Sequence, residues 1–364
     1  MLHSLTIGGA EVLADGLARN LRDQFRFVFA CLDEVGTLGR QLQEDGFPVH
    51  VLQRDSGIDV GCARRLAQVV RMEHVDVIHA HQYTPFFYGV TSRLCLHRTP
   101  VLFTEHGRFF PDYPRRKRMV VNRWLTGRRD RFVAVGQAVR QALIDNEGLP
   151  AERINVIYNG IPLAAFAAAK QTEDVGAVRE ELGFGANDFV VVIVARLDQI
   201  KDHSTALRAV ARAAEQVPEI RLLIVGDGPE RTGIESEIQR LEIGRVVRLA
   251  GTRRDVPRLL AAADVGLLTS VSEGIPLSLI EGMAAERPVV STDVGGVSEV
   301  VDAEHTGLLV PAGDDQALSD VLVRLAGDSL LRQKLGAAGR RRAESLFSDR
   351  QMHERYAELY RDMC

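Results

Sequence analysis

Two glutamates eight positions apart are the residues of this chain best suited to hold a ligand. Glu273 follows an apolar run, Val265–Ser270, that predicts a buried strand, and Glu281 lies in segment 277–286, which predicts a helix. Pro276 stands where the first helical residue is expected, because the fixed φ of proline suits that position. The first turn of a helix exposes unpaired backbone N–H groups that attract anions. Two carboxylates flanking such a site suit a ligand with hydroxyls at both ends and phosphate in the middle, such as a nucleotide sugar.

Further polar residues follow the other apolar runs of the second half. Continuous apolar runs that alternate with amphipathic segments predict a parallel sheet covered by helices, and ligands bind at the carboxyl ends of its strands. The residues at those ends are Arg196 and Lys201 after the first run, Gly226-Asp227-Gly228-Pro229-Glu230 after the second, Gly251 after the third, Glu273 after the fourth, and Asp293-Val294-Gly295-Gly296 after the fifth.

Arg196 and Lys201 are the candidate ligands for phosphate. Beside an anion site, their cationic side chains would neutralise a diphosphate leaving group. Ordinary surface charge is the alternative interpretation for them, as helix capping is for Glu273 and Glu281. Because these residues coincide with the other polar strand ends, the pattern favours ligand binding.

The turn that begins at Gly226 contains an incomplete dinucleotide-binding motif. Gly226 and Gly228 match the first two glycines of G-x-G-x-x-G, but Arg231 occupies the third position. The mismatch argues against a nicotinamide dehydrogenase and indicates a tight turn that opens a helix.

Three features of the first half stand at corresponding strand ends. Gly8 and Gly9 precede a helical run and let a backbone approach phosphate closely, although a plain strand-to-helix turn explains them equally well. His106 is the candidate for contact with a sugar. His79 and His81 alternate on a strand, so we expect only one of them, His81, to face the site, and a structural role is the favoured interpretation for both.

The segment from Arg115 to Arg131 is locally basic and has aromatic neighbours. Such a segment meets anionic lipid at a membrane surface or binds an anionic acceptor, and a solvated helix face is an equally good interpretation. The basic residues are Arg115, Arg116, Lys117, Arg118, Arg123, Arg128, Arg129 and Arg131, and the aromatic ones are Phe109, Phe110, Tyr113 and Trp124.

Composition narrows the class of protein. The chain has 364 residues, of which 46% are hydrophobic, so two domains with separate cores are expected. A net charge of −4 argues against bulk nucleic-acid binding. The four cysteines are far apart and fit neither a disulfide framework nor a zinc site. With no signal-peptide pattern and no spanning apolar run, we expect a cytoplasmic protein, with peripheral contact at the inner membrane face.

The apolar runs also predict the division of the chain. We expect an N-terminal domain over 1–162, a second domain over 163–346, and a C-terminal helix over 347–364 that packs back onto the first domain. The predicted strands are 25–30, 48–52, 75–79, 101–104, 132–135 and 154–157 in the first half, and 189–194, 221–225, 246–250, 265–269, 288–291 and 307–310 in the second.

Seven motifs together carry a resemblance that spans nearly the whole chain. They are Gly8-Gly9-Ala10-Glu11, Thr104-Glu105-His106-Gly107, Tyr158-Asn159-Gly160-Ile161, Ala195-Arg196-Leu197 with Lys201, Gly226-Asp227-Gly228-Pro229, Glu273 with Glu281, and Gly307-Leu308-Leu309-Val310. The set resembles that of the retaining glycosyltransferases of family 4, and it is specific for the family but not for a donor or acceptor.

The resemblance implies an α/β fold of two doubly wound, Rossmann-like domains that face each other across a cleft, the GT-B architecture. It implies that Arg196 and Lys201 hold the diphosphate, Glu281 the ribose and Glu273 the donor sugar, so Glu273→Ala should spare nucleotide affinity. The implied catalytic residues are His106, Arg196, Lys201 and Glu273, and the implied donor site comprises Gly8, Gly9, Arg196, Lys201, Gly226, Gly251, Glu273, Gly274, Ile275, Pro276, Leu277 and Glu281.

The implied activity is transfer of a hexosyl or N-acetylhexosaminyl group, with retention, from a nucleoside diphosphate sugar to a glycan or lipid-linked acceptor in polysaccharide biosynthesis. No D-x-D motif is present, so we expect metal-independent activity with no cofactor besides the nucleotide sugar. A nucleotide-sugar epimerase of the same fold and a non-catalytic sensor remain alternatives. A glycosidase fits less well, because both glutamates lie in one half of the chain.

One departure from the family pattern concerns the first strand. Only Met1 to Ile7 precede the Gly8-Gly9 loop, and they include three polar residues. We expect either an upstream start or a short first strand, and greater stability when an apolar segment is added upstream.

Overall fold

The structure is a computed structural model that describes residues 1–6, 8–95, 98–107, 112–172 and 174–364. Its chain forms two compact units, Met1–Asn159 with Arg350–Cys364, and Gly160–Asp349. The units therefore divide three residues before the predicted boundary at 162 and three residues after the one at 346.

The described residues of the first unit form seven strands in parallel sheets. They are β1 (Leu2–Ser4), β2 (Phe29–Glu34), β3 (Val49–Val51), β4 (Ile78–His81), β5 (Val101–Glu105), β6 (Arg131–Ala134) and β7 (Ile154–Val156). Between them lie α1 (Gly9–Asn20), α2 (Gly36–Glu44), α3 (Val60–Met72), α4 (Tyr83–Thr91), α5 (Arg116–Leu125) and α6 (Gln137–Glu147).

The second unit has one six-stranded parallel sheet in the order β10-β9-β8-β11-β12-β13. Its strands are β8 (Phe189–Val194), β9 (Ile220–Val225), β10 (Val247–Gly251), β11 (Val265–Leu268), β12 (Val289–Thr292) and β13 (Gly307–Val310). Its helices are α7 (Leu163–Thr172), α8 (Val175–Glu181), α9 (His203–Ala214), α10 (Arg231–Arg240), α11 (Val256–Ala262), α12 (Leu277–Ala284), α13 (Val297–Val300), α14 (Asp315–Gly327) and α15 (Ser329–Leu346). The order is that of a Rossmann sheet, and it confirms the predicted fold class.

The last helix, α16 (Asp349–Met363), packs on the first unit. Its face of Met352, Tyr356 and Met363 is buried, with Leu359 partly buried beside it. This face covers Leu13 and Leu17 of α1 and Leu21 at its end. It also covers Leu102 and Val133 of the sheet and Ile157, which follows β7. Among the described residues, no helix has both the length and the hydropathy needed to cross a bilayer.

The observed strands follow the predicted runs except around β1. Strands β2 and β4 begin at Phe29 and Ile78, three to four residues later than predicted. The reason is geometric: β1 begins at Leu2 and pairs with β2, while Met1 bonds through its backbone to His79 and His81 of β4. Within the described part of the chain, residues 25–28 and 75–77 thus have no strand between them to pair with.

A cavity of about 400 Å³ occupies that gap, and we call it the N-terminal slot. It is bounded by residues 25–30 and 73–79 and by apolar side chains of α1 and α3. The Met1 ammonium closes one end, donating to the His79 carbonyl at 2.6 Å, and burial lowers its pKa to about 5. An unfolded chain keeps the ordinary pKa near 8, so burying this amine destabilises the fold below that pH.

We expect a chain carrying four apolar residues, such as Val-Val-Ile-Val, before Met1 to melt at a higher temperature than the parent. Each buried Val or Ile side chain contributes about 1.5–3 kcal/mol, and the extension also moves the amine out of the slot. Calorimetric melting of both chains and of a Gly-Ser-Gly-Ser extension checks this. Equal melting temperatures for the apolar and the Gly-Ser extensions would contradict it.

Candidate functional site

The central strands of the second unit place the predicted phosphate and sugar ligands side by side. The strand order reverses between β8 and β11, which are neighbours in the sheet although β9 and β10 intervene in sequence. Arg196 and Lys201 follow β8, and Glu273 follows β11. In open α/β sheets, ligands bind at this switch point, outside the carboxyl ends of the strands.

An ion pair joins two of these residues. Nζ of Lys201 lies 2.5 Å from Oε1 of Glu273, and the Ser270 hydroxyl donates to the same oxygen at 2.5 Å. The exposed fractions of the two charged side chains are 23% for Lys201 and 10% for Glu273. An ammonium has three donors, so Lys201 keeps two for a ligand while Glu273 holds it in place.

The backbone that carries Lys201 is fixed by the same strand end. The Thr269 hydroxyl donates to the carbonyls of Lys201 and Asp202, both at 3.0 Å. Asp202 has a φ of 41° and accepts from the Thr205 backbone N–H, which caps α9. The ammonium of Lys201 is therefore positioned from both ends of its side chain, by Thr269 and by Glu273.

Helix α12 begins where segment 277–286 predicted it, but Pro276 precedes the helix and is not its first residue. Pro276 is its N-cap, in extended conformation, and Leu277 is the first helical residue. A proline N-cap offers no side-chain acceptor, so the first N–H groups of the helix remain available to an anion.

Glu281 lies about one turn inside α12 and is partly buried. Burial raises the pKa of its carboxyl to about 7. In the described part of the chain, no hydrogen-bond donor or cation pairs with this carboxylate. A desolvated acceptor without a partner is costly, and the two hydroxyls of a ribose would satisfy it.

Arg196 differs from Lys201 in its freedom. Its side chain is 70% exposed, and Asp198 is 3.8 Å away. The structure therefore brings Lys201 and Glu273 together, while the side chain of Arg196 stays largely exposed at the end of β8.

Two turns at the carboxyl end of this sheet leave no room for a side chain and require glycine. Gly226 has a φ of 144°, and a Cβ there would overlap the carbonyl of Ala195. Gly295 has a φ of 53°, and a Cβ would overlap the carbonyl of Glu273. These glycines pack the loops of neighbouring strands together, whereas Gly251 faces open space. The expected part of Gly226, Gly251, Gly274 and Ile275 in donor binding stays a prediction.

The Gly8-Gly9 turn of the first unit opens α1. Gly8 is the N-cap, with no side-chain cap hydrogen bond, and a Cβ on Gly9 would meet open space. The position would admit a ligand backbone or phosphate, yet the Glu11 carboxylate lies over Gly8. The neighbouring Ile7 lies outside the described residues.

His79, His81 and His106 of the first unit form one cluster. Residues two apart on a strand share a face, so the expected alternation of His79 and His81 is wrong: their ring centroids are 4.1 Å apart. His81 bonds to His106 through Nδ1 and Nε2 at 2.9 Å. Burial lowers the pKa of His106 to about 4, which makes it a neutral imidazole.

Residues Arg116–Leu125 of the basic segment form α5, and the two faces of this helix differ. Arg118 is not available to a lipid, because it pairs with the buried Glu147 at 3.0 Å and lies over the Tyr83 ring. The opposite face is exposed and mixes cations with Val120 and Trp124, which are 60% and 81% exposed. Its exposed cations are Arg116, Lys117 and Arg123. Phe109 and Phe110 lie outside the described residues.

Ser270 and Thr269 support the candidate site, and the sequence analysis missed both. Both are buried at the end of β11, where each donates to the Lys201–Glu273 region. A signal was present, since two hydroxyl residues end an apolar strand just before a polar loop. Among the described residues, no three His, Cys, Asp or Glu side chains gather into a metal site, and metal independence stays a prediction.

Comparisons with known families cover both units. The family described as "Glycosyltransferase Family 4" matches residues 7–165, and that described as "Glycosyl transferases group 1" matches residues 174–342. Similar curated proteins include the putative glycosyltransferase EpsD of Bacillus subtilis, 29% identical over 82% of this chain and 79% of that protein. The N-acetyl-alpha-D-glucosaminyl L-malate synthase of Bacillus anthracis is 26% identical over 84% of this chain and 79% of that protein. The UDP-Gal:alpha-D-GlcNAc-diphosphoundecaprenol alpha-1,3-galactosyltransferase of Escherichia coli is 27% identical over 73% of this chain and 70% of that protein.

Solved structures share the fold. Anabaena Alr3699/HepE in complex with UDP has a TM-score of 0.85 at 24% identity, covering 98% of this chain and 97% of that one. A glycosyltransferase from Rickettsia africae has a TM-score of 0.87 at 20% identity, covering 100% of this chain and 97% of that one. With the motifs and the Rossmann units, these matches establish that the chain belongs to glycosyltransferase family 4 and has the GT-B fold.

Proposed function

We propose that this glycosyltransferase transfers a hexosyl or N-acetylhexosaminyl group, with retention and without a metal ion, from a nucleoside diphosphate sugar to a glycan or lipid-linked acceptor. The observation that best supports this proposal is the arrangement of charge around α12. On one side lies the Lys201 ammonium held by Glu273, and on the other lies the Glu281 carboxylate, which has no partner among the described residues. A nucleotide sugar matches this order, with its sugar hydroxyls at Glu273, its diphosphate at Lys201 and the start of α12, and its ribose at Glu281.

The proposed chemistry follows from the charges. The leaving diphosphate gains negative charge in the transition state, and Lys201, Arg196 and the start of α12 are suited to stabilise it. The acceptor hydroxyl attacks the face that the diphosphate leaves, and a phosphate oxygen takes its proton, so no protein nucleophile is needed. Glu273 accepts from a sugar hydroxyl through the oxygen that Lys201 and Ser270 leave free.

Uridine is the first base to test. Similar proteins include one solved with UDP and one whose name specifies UDP-galactose and a diphosphoundecaprenol-linked acceptor. A nucleotide-sugar epimerase of the same fold, or a sensor that binds donor without turnover, is the competing function.

The test is a thermal-shift panel of uridine, guanosine and adenosine diphosphate sugars, followed by transfer assays with the donor that stabilises the protein most. We expect a new glycosidic bond with the donor's anomeric configuration, read by proton NMR, and equal rates with and without EDTA. Inversion, or EDTA loss restored by Mg²⁺ or Mn²⁺, would contradict the corresponding part of the proposal. Epimer formation without acceptor would identify the epimerase, and binding without turnover the sensor.

Removing either cation should slow the reaction. We expect Arg196→Ala and Lys201→Ala each to lower kcat/KM by about 10² or more, because each removes a charge aimed at the leaving group. Steady-state kinetics measure this, with Lys334→Ala, an exposed lysine of α15, as the matched control. Parent-like kinetics for both variants would remove them from the site.

Glu281 should make donor binding depend on pH. Ribose hydroxyls donate to the ionised carboxylate, so binding lowers its pKa from about 7 and releases a proton below that pH. Donor affinity should therefore rise as pH increases from 5 to 7 and level off above it. Calorimetry on the parent and on Glu281→Gln, which cannot titrate, measures this, and a similar pH profile for both would contradict it.

We also propose weak contact of α5 with anionic membranes, suited to a lipid-linked acceptor. The exposed cations contribute about 1 kcal/mol each near a charged surface, and Trp124 and Val120 lie among them. The cytoplasmic location, at the inner membrane face, is part of the same proposal.

Trp124 is the single tryptophan of the chain, so its fluorescence reports this contact directly. We expect a blue shift with phosphatidylserine vesicles at low salt that disappears at high salt. Arg116→Glu with Lys117→Glu should abolish it, and Lys334→Glu with Arg341→Glu should not. No shift at low salt, or one that survives high salt, would contradict the electrostatic contact.

A further inference from the structure

Two histidines meet at the carboxyl ends of β4 and β5. Nδ1 of His81 lies 2.9 Å from Nε2 of His106, and the two rings meet edge to edge, with centroids 5.1 Å apart and planes 22° apart. His81 is 3% exposed. Burial holds the pKa of His81 well below its usual range and lowers that of His106 to about 4, so both rings are neutral near pH 7.

When each of two neutral imidazoles points one nitrogen at the other, a single proton lies between these two nitrogens. If His81 donates from Nδ1, His106 accepts through Nε2 and carries its own proton on Nδ1. If His106 donates from Nε2, His81 accepts and carries its proton on Nε2. The two rings therefore have coupled tautomers, with both protons on Nδ1 or both on Nε2.

The other side of His81 is also confined. The ring of His79 lies against it, and His79 is held by Tyr360 through Nδ1 at 2.7 Å and by Thr104 through Nε2 at 2.8 Å. In the described ranges, Nδ1 of His106 has no hydrogen-bond partner. Contacts on two sides thus hold the ring of His81 in place, whereas Nδ1 of His106 is available to a ligand.

We propose that His81 is a positioning residue that fixes the orientation and tautomer of His106, so that Nδ1 of His106 meets a hydroxyl of the substrate sugar in one protonation form. The proposal rests on the proposed sugar transfer. With both protons on Nδ1, His106 offers the sugar a donor, and with both on Nε2 it offers an acceptor. A His106 released from the pair would mix these two forms, so part of the protein would present the wrong one to the sugar hydroxyl. If the pair were purely structural, replacing His81 would not change the tautomer of His106.

The first test needs no substrate. Nitrogen NMR of ¹⁵N-histidine-labelled protein distinguishes protonated from bare ring nitrogens. We expect one tautomer for each ring in the parent, of the same kind in both, and a mixture at His106 in His81→Phe, which keeps the ring volume. Tyr360→Phe is the control, because it removes one hydrogen bond from the same cluster without touching the pair. Opposite tautomers in the parent, or an unchanged His106 in His81→Phe, would overturn the proposal.

The second test is a kinetic cycle of His81→Phe, His106→Ala and the double variant, at equal folded fraction. We expect His81→Phe to lower kcat by about tenfold or more in the parent and to have no further effect once His106 is gone. His81→Asn should keep a higher kcat than His81→Phe, because the amide nitrogen or oxygen of asparagine can occupy the place of Nδ1 of His81. Effects that multiply in the double variant would overturn the positioning role.

The two tests separate failure of this proposal from failure of the proposed function. Absence of sugar transfer by the parent would refute the proposed function and, with it, the role toward a sugar. Transfer by the parent together with independent tautomers would refute the positioning role alone.

Discussion

The ion pair between Lys201 and Glu273 is the interaction on which the candidate site depends. Both side chains are largely removed from water, and a buried charge that loses its partner is strongly destabilising. The pair is therefore best understood as one unit, in which a carboxylate sets the position of the ammonium. It also couples the two groups that sequence reasoning assigned separately, one to the diphosphate and one to the sugar.

The sheet of the second unit makes this pair possible. Because β8 and β11 are paired neighbours, the loops that follow them leave the sheet about one inter-strand spacing apart, roughly 4.8 Å. Thr269 then bonds the Lys201 backbone from the end of β11, and the Thr292 hydroxyl donates to the Ser270 carbonyl at 2.6 Å from the end of β12. Three strand ends thus hold the pair, which is the preorganisation that stabilising a developing charge requires.

The sequence predicted the parts of this arrangement that follow from periodicity and composition. The strands of the second unit, the start of α12 and the helix α16 all follow from apolar runs, proline and amphipathic spacing. The resemblance supplied the roles of Glu281 and Arg196. These features are local, so a single sequence carries them.

What the sequence did not predict depends on contacts between distant residues. Ser270 is an ordinary strand-end serine until Glu273 folds back onto it. The positions of β2 and β4 depend on how far β1 extends between them. The expectation for His79 and His81 failed for a simpler reason, since the two-residue period of a strand places both on one face.

The pair also changes what is expected of Glu273. Sequence reasoning gave Glu273→Ala an intact affinity for free nucleotide, but a variant that releases Lys201 should bind the diphosphate more weakly.

The most direct test is a calorimetric cycle of Glu273→Ala, Lys201→Met and the double variant, measured as affinity for UDP or for whichever nucleoside diphosphate the parent binds. The account predicts that each single variant loses affinity and that the double variant binds no more weakly than Lys201→Met alone. Losses that add in the double variant, or parent affinity in Glu273→Ala, would contradict it.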